Sequence, residues 1–356
     1  MRILYFSTVN WKWIKQRPHF IAEYLSLQNV EVDYLSLTPF GKGIVHKVKK
    51  GNLNIIDSYV VPFSLKLKVI EIINIRYIKK VLKHREYDVI VLTAPLQHRY
   101  ISKSMKENAV LIYECMDNMP FFYIDKLRDR MIKEESITLN QVDAVITSSH
   151  QLLLELKRRN PDCCLPATNI PNAVDEATFN KLPQKKVLSE PNLVYIGTIS
   201  HWLDWETIIF FSEQHPEYSI YLIGPCEYKP DQLSDNIILL GAIPHQEVLD
   251  YIYSGNIMLL PFQVNELIKA VDPVKLYEYI SLNKPVVSSY WKEIDKFKHN
   301  RLKFYSQYQE FERAIIQLSQ SNEHTEVNRT FIYDNSWVKR SSEYLEFLKN
   351  IIKAKA

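Results

Sequence analysis

Glycine is scarce in this sequence, with 7 in 356 residues. A G-x-G-x-x-G phosphate cradle has no place after the first apolar run, because the following "STVNWKW" holds no glycine, and a dinucleotide-binding dehydrogenase is excluded on that ground. Cysteine is equally sparse. Cys115, Cys163, Cys164 and Cys226 form no C-x-x-C, which excludes a disulfide framework and a zinc site and points to free thiols in a reducing compartment. No uninterrupted apolar run reaches the roughly 18 residues that a membrane-crossing helix needs. The opening "MRILYFST" enters a strand pattern without the basic start and small-residue cleavage site of a signal peptide, so the expected compartment is the cytoplasm. Neither sign of charge dominates: the formal net charge is +3, too diffuse to suggest nucleic acid as a partner.

What is present is an ordinary soluble composition, 46% hydrophobic and 24% charged, in a chain long enough for two domains. Charge is divided unevenly. Residues 1–165 carry 25 Lys and Arg against 17 Asp and Glu, whereas the remainder carries 19 against 24, which suggests two domains with different partners. Strand-length apolar runs such as Val89–Thr93, Val110–Glu114 and Ala144–Ser148 alternate with helical patterns, and Val30–Leu37 and Leu53–Val61 read as two further strands. Alternation of this kind predicts mainly parallel sheets with right-handed crossovers. It lapses in the Pro-, Asn- and Lys-rich stretch before Pro191 and then restarts. The expected organisation is an α/β domain over residues 1–170, a linker over 171–191, a second α/β domain over 192–335 and a C-terminal helix over 336–356, with ligands bound in a cleft between the carboxyl-end loops of the two domains.

Three stretches combine residue types that can do chemistry. In "DPVKLYEYISLNKPVVSS", Asp272 can cap a helix and Pro273 suits its first turn. Helix amides favour an anion at that end, Lys275 adds a full charge, and Glu278 lies three residues on, on the same face. A surface ion pair on an amphipathic helix would look the same. "NWKWIKQRPHF" brings Trp11 and Trp13 together with Lys12, Lys15 and Arg17, and reads either as a binding loop or as a packed loop with incidental aromatics. Residues 63–85 are apolar and basic, with Glu71 the one acid, and suit either an anionic membrane surface or an ordinary helix packed on the sheet.

"DPVKLYEYISLNKPVVSS" resembles the signature that borders the donor site of GT-B glycosyltransferases. "YECMDNMPFF", "VDAVITSS", "IPNAVDEATF", "NLVYIGTISHWLDWETI" and "LLGAIPHQEVLDYIYSGNIMLLPF" resemble other segments of that family in order and spacing. The likeness is greatest to bacterial surface-polysaccharide transferases of the teichuronic-acid type and extends more distantly to xanthan-type glucuronosyltransferases. It implies an α/β, GT-B fold: two Rossmann-like domains facing across a cleft, with the C-terminal helix returning to the first.

The resemblance also implies site residues. Lys275 would contact the donor diphosphate and Glu278 the ribose, with Pro273, Val274 and Tyr277 around them. The base would lie over the loop from Gly241 to His245, Ile243 included, and Gly197 and Thr198 would let the backbone approach the phosphates. Gly197 could equally be a simple turn glycine. Two features depart from the family. Ala270 stands where many retaining members carry glutamate, and "GTISHWLD" lacks the two cations often found there. Both favour an inverting mechanism with a carboxylate base. Asp117 is the candidate, with His19 and Glu114 as alternatives, and a helix-capping role is equally open to a loop aspartate. Trp11, Trp13 and Arg17 would face the acceptor. No D-x-D occurs, which fits a metal-independent enzyme with no cofactor, the nucleotide sugar being a substrate. The implied partners are a nucleotide sugar, UDP-linked by preference, and a glycan or lipid-linked acceptor, handled in the cytoplasm or at the inner face of its membrane. A sugar-nucleotide epimerase and a non-catalytic assembly subunit are the rival readings.

Overall fold

The computed structural model describes residues 1–180, 187–320 and 326–355. The chain divides into two compact units, Met1–Pro171 with Trp337–Ala356, and Asn172–Ser336.

The first unit contains β1 (Arg2–Phe6), β2 (Glu31–Leu35), β3 (Leu37–Pro39), β4 (Lys47–Lys50), β5 (Leu53–Ile56), β6 (Ser58–Val60), β7 (Val89–Leu92), β8 (Val110–Cys115), β9 (Ala144–Thr147) and β10 (Ala167–Asn169). Eight of them form one sheet in the order β10-β9-β8-β7-β1-β2-β5-β4, parallel throughout except where the edge strand β4 runs antiparallel to β5. The central strands β7, β8 and β9 are buried along their whole length, as strands covered on both faces must be, and this explains why their sequences are apolar except at Glu114 and Thr147. Strand order reverses between β1 and β7, so the loops leaving those strands diverge and open a crevice at the carboxyl rim. The last helix, Trp337–Lys355, packs on the first, Arg17–Leu27: Trp337 stacks on Phe20 at 5.0 Å, and Gln28 donates to Ser341 Oγ at 2.8 Å.

Two expected strands are subdivided. Val30–Leu37 becomes β2 and the start of β3, and Leu53–Val61 becomes β5 and β6. The break in the second falls at Asp57, which is fully buried and accepts hydrogen bonds from Asn10, Ser36 and Thr38. A carboxylate inside an apolar strand needs such donors, and the chain turns to supply them. β3 and β6 then pair as a separate two-stranded sheet.

The second unit contains β11 (Asn192–Ile196), β12 (Ser219–Ile223), β13 (Ile237–Gly241), β14 (Ile257–Leu260), β15 (Val286–Ser289) and β16 (Leu302–Tyr305). They form an all-parallel sheet ordered β13-β12-β11-β14-β15-β16, with its switch point between β11 and β14. The helix that follows β11, Trp205–Gln214, is capped by Asp204, which accepts from Thr207 N–H. The stretch expected to be a linker, 171–191, belongs to this unit from Asn172 onward: Val174 and Phe179 are fully buried in its core, and residues 181–186 of that stretch lie outside the described residues. Among the described residues no helix is long and apolar enough to cross a membrane.

Candidate functional site

At the carboxyl rim of the second sheet, three neighbouring strands are closed by backbone. Gly197 N–H donates to Ile223 O at 2.9 Å, Ile199 N–H to Pro225 O at 2.8 Å and Gly224 N–H to Gly241 O at 2.8 Å. Glycine is required here by close approach. A Cβ on Gly224, whose φ is +146°, would lie 2.0 Å from Gly197 O, and one on Gly197 would lie 2.5 Å from Tyr195 Oη. Gly197 is thus more than a turn residue, although it is the Tyr195 ring, not a ligand, that fills the space beside it. Thr198 and Ile243 are both half-buried on this rim.

The helix Val274–Ser281 starts beside the same rim, after β14. The hydroxyl of Tyr279, fully buried on that helix, accepts from Ile196 N–H at 3.1 Å, which pins the helix to the end of β11. Lys275 and Glu278 lie on one face, and Lys275 Nζ donates to Glu278 Oε2 at 2.6 Å. Lys275 is half-buried and Glu278 is nearly covered. The cation and the carboxylate expected at opposite ends of one ligand are therefore bonded to each other. Val274 is partly exposed at the first turn, whereas Pro273 is buried.

Two expectations for this helix are corrected. Pro273, not Asp272, is the capping residue, and the Asp272 carboxylate makes no cap bond. It is buried, accepts from Asn172 N–H at 2.7 Å and from the Tyr277 hydroxyl, and pairs with Lys296 at 2.7 Å. Tyr277 is likewise not a surface contact: it is 2% exposed, turned inward to Asp272 and packed edge-on against Phe297. Both residues hold the start of the helix. Ala270 is buried in the short turn Ile268–Ala270, so no carboxylate occupies that place.

At the carboxyl rim of the first sheet, Asp117 follows β8 by two residues. Its carboxyl is only partly exposed, and desolvation by the surrounding protein pushes its pKa up to about 6, against the opposing pull of the Arg17 charge. Among the described residues no hydrogen bond reaches that carboxyl. It caps nothing, since the short helix that follows, Met119–Phe122, has Asn118 at its capping position.

The other base candidates are committed elsewhere. Glu114 is fully buried and accepts from Arg17 Nε at 2.7 Å, the Tyr5 hydroxyl at 2.6 Å and the Tyr344 hydroxyl at 2.9 Å. Arg17, expected to face an acceptor, is 4% exposed and donates to Glu114 and to the carbonyls of Ile170 and Pro171, so it belongs to the interior. His19 is buried with both ring nitrogens in use: Nδ1 accepts from Gln16 N–H, which leaves Nε2 to donate to Asn10 O, each at 3.1 Å. Burial lowers its pKa, so the ring is neutral and fixes the loop. Trp11 packs edge-on against His19 and Tyr34, while Trp13 is 56% exposed. Among the described residues no cluster of three or more His, Cys, Asp or Glu is arranged to hold a metal ion.

Tyr279 and Gly224 were not anticipated, and Asp272 was expected only as a helix cap. Gly224 had a signal, a glycine directly after the apolar run "YLI", whereas Asp272 and Tyr279 stand inside a motif whose pattern does not say which side chains turn inward.

No family model matches the chain. TuaH of Bacillus subtilis (strain 168), which carries the name of a teichuronic acid biosynthesis glycosyltransferase, is 25% identical over 198 residues, covering 50% of this chain and 50% of that one. The match thus spans about half the length of this curated relative. Among solved structures, sucrose-phosphate synthase (tll1590) from Thermosynechococcus elongatus aligns with a TM-score of 0.77 at 14% identity, covering 99% of each chain. A glycosyltransferase from Rickettsia africae ESF-5 aligns at 0.69 and 14%, covering 99% of this chain and 98% of that one. Trehalose-6-phosphate from E. coli, bound with UDP-2-fluoro glucose, aligns at 0.61 and 10%, covering 99% and 96%. The fold is GT-B, with two Rossmann-like parallel-sheet units, and the chain resembles the teichuronic-acid type of glycosyltransferase.

Proposed function

We propose that this chain is a glycosyltransferase that moves a hexose from a nucleotide donor, UDP-linked by preference, to a glycan or lipid-linked acceptor during assembly of a bacterial surface polysaccharide. The observation that carries this reading is the helix Val274–Ser281, which presents Lys275 and Glu278 one turn apart beside the glycine-closed rim of a parallel sheet. The UDP-2-fluoro glucose in a solved structure of the same fold favours a UDP donor, and the name of TuaH favours a surface polysaccharide.

In this reading Lys275 neutralises the diphosphate and Glu278 accepts from the ribose hydroxyls, so donor binding exchanges their mutual bond for bonds to the ligand. Gly197 and Thr198 offer bare backbone to the phosphates, and the loop carrying Ile243 lies under the base. Asp117 takes the proton of the acceptor hydroxyl, the freed oxygen attacks the anomeric carbon from behind, and the nucleoside diphosphate leaves with the bonding pair. The configuration inverts in a single displacement. Asp117 suits this role because its carboxyl has no competing hydrogen bond among the described residues and a pKa raised toward neutrality. Trp13 offers an exposed indole for stacking on an acceptor sugar. The reaction draws on no metal and no cofactor. The chain works at the inner face of the cytoplasmic membrane, where residues 63–85 contact anionic lipid.

The decisive experiment is product analysis with a panel of UDP-sugars, with and without acceptor glycan. Transfer that needs acceptor, persists in EDTA and is lost in Asp117→Asn without loss of donor affinity is the expected result, with a rate loss of roughly 10²- to 10⁴-fold. A donor converted in the absence of acceptor would instead identify an epimerase, and tight donor binding with no turnover on any acceptor would identify an assembly subunit. An active Asn variant removes Asp117 from the mechanism.

A further inference from the structure

The first unit carries a basic surface that extends well beyond its helix Lys68–Leu82. Residues 40–85 include 11 Lys and Arg but only two acids, Asp57 and Glu71. Both acids are buried and bonded internally, Asp57 to Asn10 and Thr38, and Glu71 to Arg99 and Arg130. The exposed surface of this stretch therefore bears positive charge alone. It also bears large apolar side chains: Phe40 is 68% exposed, Ile44 71%, Val69 70% and Ile73 50%.

Edge strands commonly carry lysine to prevent pairing with other chains, and that accounts for Lys47, Lys49 and Lys50 on β4. It does not account for Phe40 and Ile44, which stand bare in the turn that leads into that strand. The turn is not loosely attached. Phe40 N–H donates to Val60 O at 2.9 Å, the Phe40 and Tyr59 rings lie 4.9 Å apart, and the Tyr59 hydroxyl donates to Gly43 O at 3.3 Å. One residue further on, Val61 exchanges two hydrogen bonds of 2.9 Å with the buried Asn74 amide of the helix. Turn, β6 and helix are thus tied to one another, and turn and helix both expose apolar side chains among their lysines.

We propose that the flap formed by residues 40–50 is a second lipid-contacting element, which together with the helix Lys68–Leu82 docks the first unit on an anionic phospholipid surface. Phe40 and Ile44 insert among the acyl chains while Lys42, Lys47, Lys49 and Lys50 meet the headgroups. The proposal deepens the membrane contact suggested for residues 63–85 and rests on that reading, but it does not depend on which sugar is transferred.

The test is flotation of the full chain with vesicles of phosphatidylcholine alone and of phosphatidylcholine with phosphatidylglycerol, scored beside the thermal shift given by UDP-sugars. Binding should require phosphatidylglycerol and weaken with salt. Lys47→Gln, Lys49→Gln and Lys50→Gln should each cost roughly fivefold in affinity for anionic vesicles. Phe40→Ser with Ile44→Ser should remove the salt-resistant part of binding. All of these variants should keep the donor thermal shift, which reports on the second unit, and the circular dichroism and melting temperature of the unaltered chain, which report that the first unit is folded. Flap variants that float like the unaltered chain, while Lys79→Gln with Lys80→Gln does not, would overturn the proposal and leave the helix as the lipid contact. Equal binding to neutral vesicles, or binding to RNA in place of vesicles, would also overturn it. Loss of the donor shift in the unaltered chain with flap-dependent flotation intact would fault the transferase reading and support this one.

Discussion

The loops that follow the first strand of each sheet occupy the same architectural position, beside a switch point, and are held in opposite ways. After β1 the loop has no glycine and is fixed by side chains. Ser7 Oγ accepts from Val9 N–H, Asn10 reaches Thr38 and Asp57, and the buried ring of His19 bonds to the Asn10 and Gln16 backbone. Just beyond it, Arg17 pairs with Glu114 in the interior. After β11 the loop is laid by its own backbone against Ile223 and Pro225 through Gly197 and Ile199, and side chains add to this mainly at its carbonyls, the Tyr195 hydroxyl donating to Thr198 O at 3.0 Å and Trp205 Nε1 to Ser200 O at 3.1 Å. The first arrangement leaves a rim of rings and polar groups. The second leaves bare peptide, the surface a diphosphate can approach. One fold can thus build a chemically specific wall or a generic one at the same place, depending on whether side chains or glycines close it.

The largest expected effect attacks the side-chain solution. Arg17→Ala leaves the Glu114 carboxylate buried with two tyrosine hydroxyls and no cation, and should destabilise the first unit by about 3–5 kcal/mol. Arg17→Met with Glu114→Gln should recover much of that loss, since no charge is then stranded. Urea unfolding followed by fluorescence reads both, and a single mutant as stable as the parent would mean that the pair does not hold this rim. The backbone solution is attacked by Gly224→Ala. The added methyl group meets a peptide oxygen rather than a flexible side chain, at a positive φ, and should cost the second unit roughly 2–4 kcal/mol. An alanine variant with unchanged melting temperature and donor affinity would show that the rim can spread.

The same contrast explains how much was legible in the sequence. The α/β architecture was plain because β7 and β14 are buried on both faces and read as unbroken apolar runs, because β8 breaks its run only at Glu114, and because helices intervene between them. The divided strands were not, since a buried Asp57 looks like any polar residue until its donors arrive from β3 and from the β1 loop. On the second rim the signal is local: Gly197, Gly224 and Gly241, three of the chain's seven glycines, stand at the ends of adjacent strands. On the first rim it is not. That Arg17 turns inward is decided by Glu114 and by the carbonyls of Ile170 and Pro171, about 100 to 150 residues away, and no local pattern carries that information. Asp272 and Tyr277 misled for the same reason, because Asn172 lies 100 residues from the aspartate it binds.

Lys275→Ala tests whether bare peptide on the second rim suffices to hold the proposed donor. If backbone alone held the diphosphate, its loss would be mild. A charge-assisted contact is worth about 1.5–3 kcal/mol, so donor affinity should fall roughly 10- to 100-fold by calorimetry. The variant also frees Glu278 from its 2.6 Å bond. A nucleoside, which lacks phosphate, should therefore bind the variant as well as the parent or better. Equal weakening of nucleoside and nucleoside diphosphate would count against a phosphate contact at Lys275.

The smallest effect concerns Asp117, where function and stability should pull apart. Its carboxyl titrates at about 6 in the folded chain and has an ordinary value of 3.8. The folded state thus holds the proton more tightly than the unfolded chain, and this group favours folding most below pH 4. That contribution fades as the pH rises through about 6, and above it the ionised carboxylate opposes folding by on the order of 1–3 kcal/mol. Asp117→Asn removes the penalty, so the variant should melt higher than the parent at pH 8, with the gap closing between pH 6 and pH 4. Transfer by the unaltered chain should run the other way, rising with pH through about 6 as the base is freed, and the Asn variant should show no such rise. A variant whose melting temperature tracks the parent at every pH would mean that Asp117 is better solvated than its place on the rim implies. The charged wall of the first unit would then be no costlier to maintain than the glycine wall of the second.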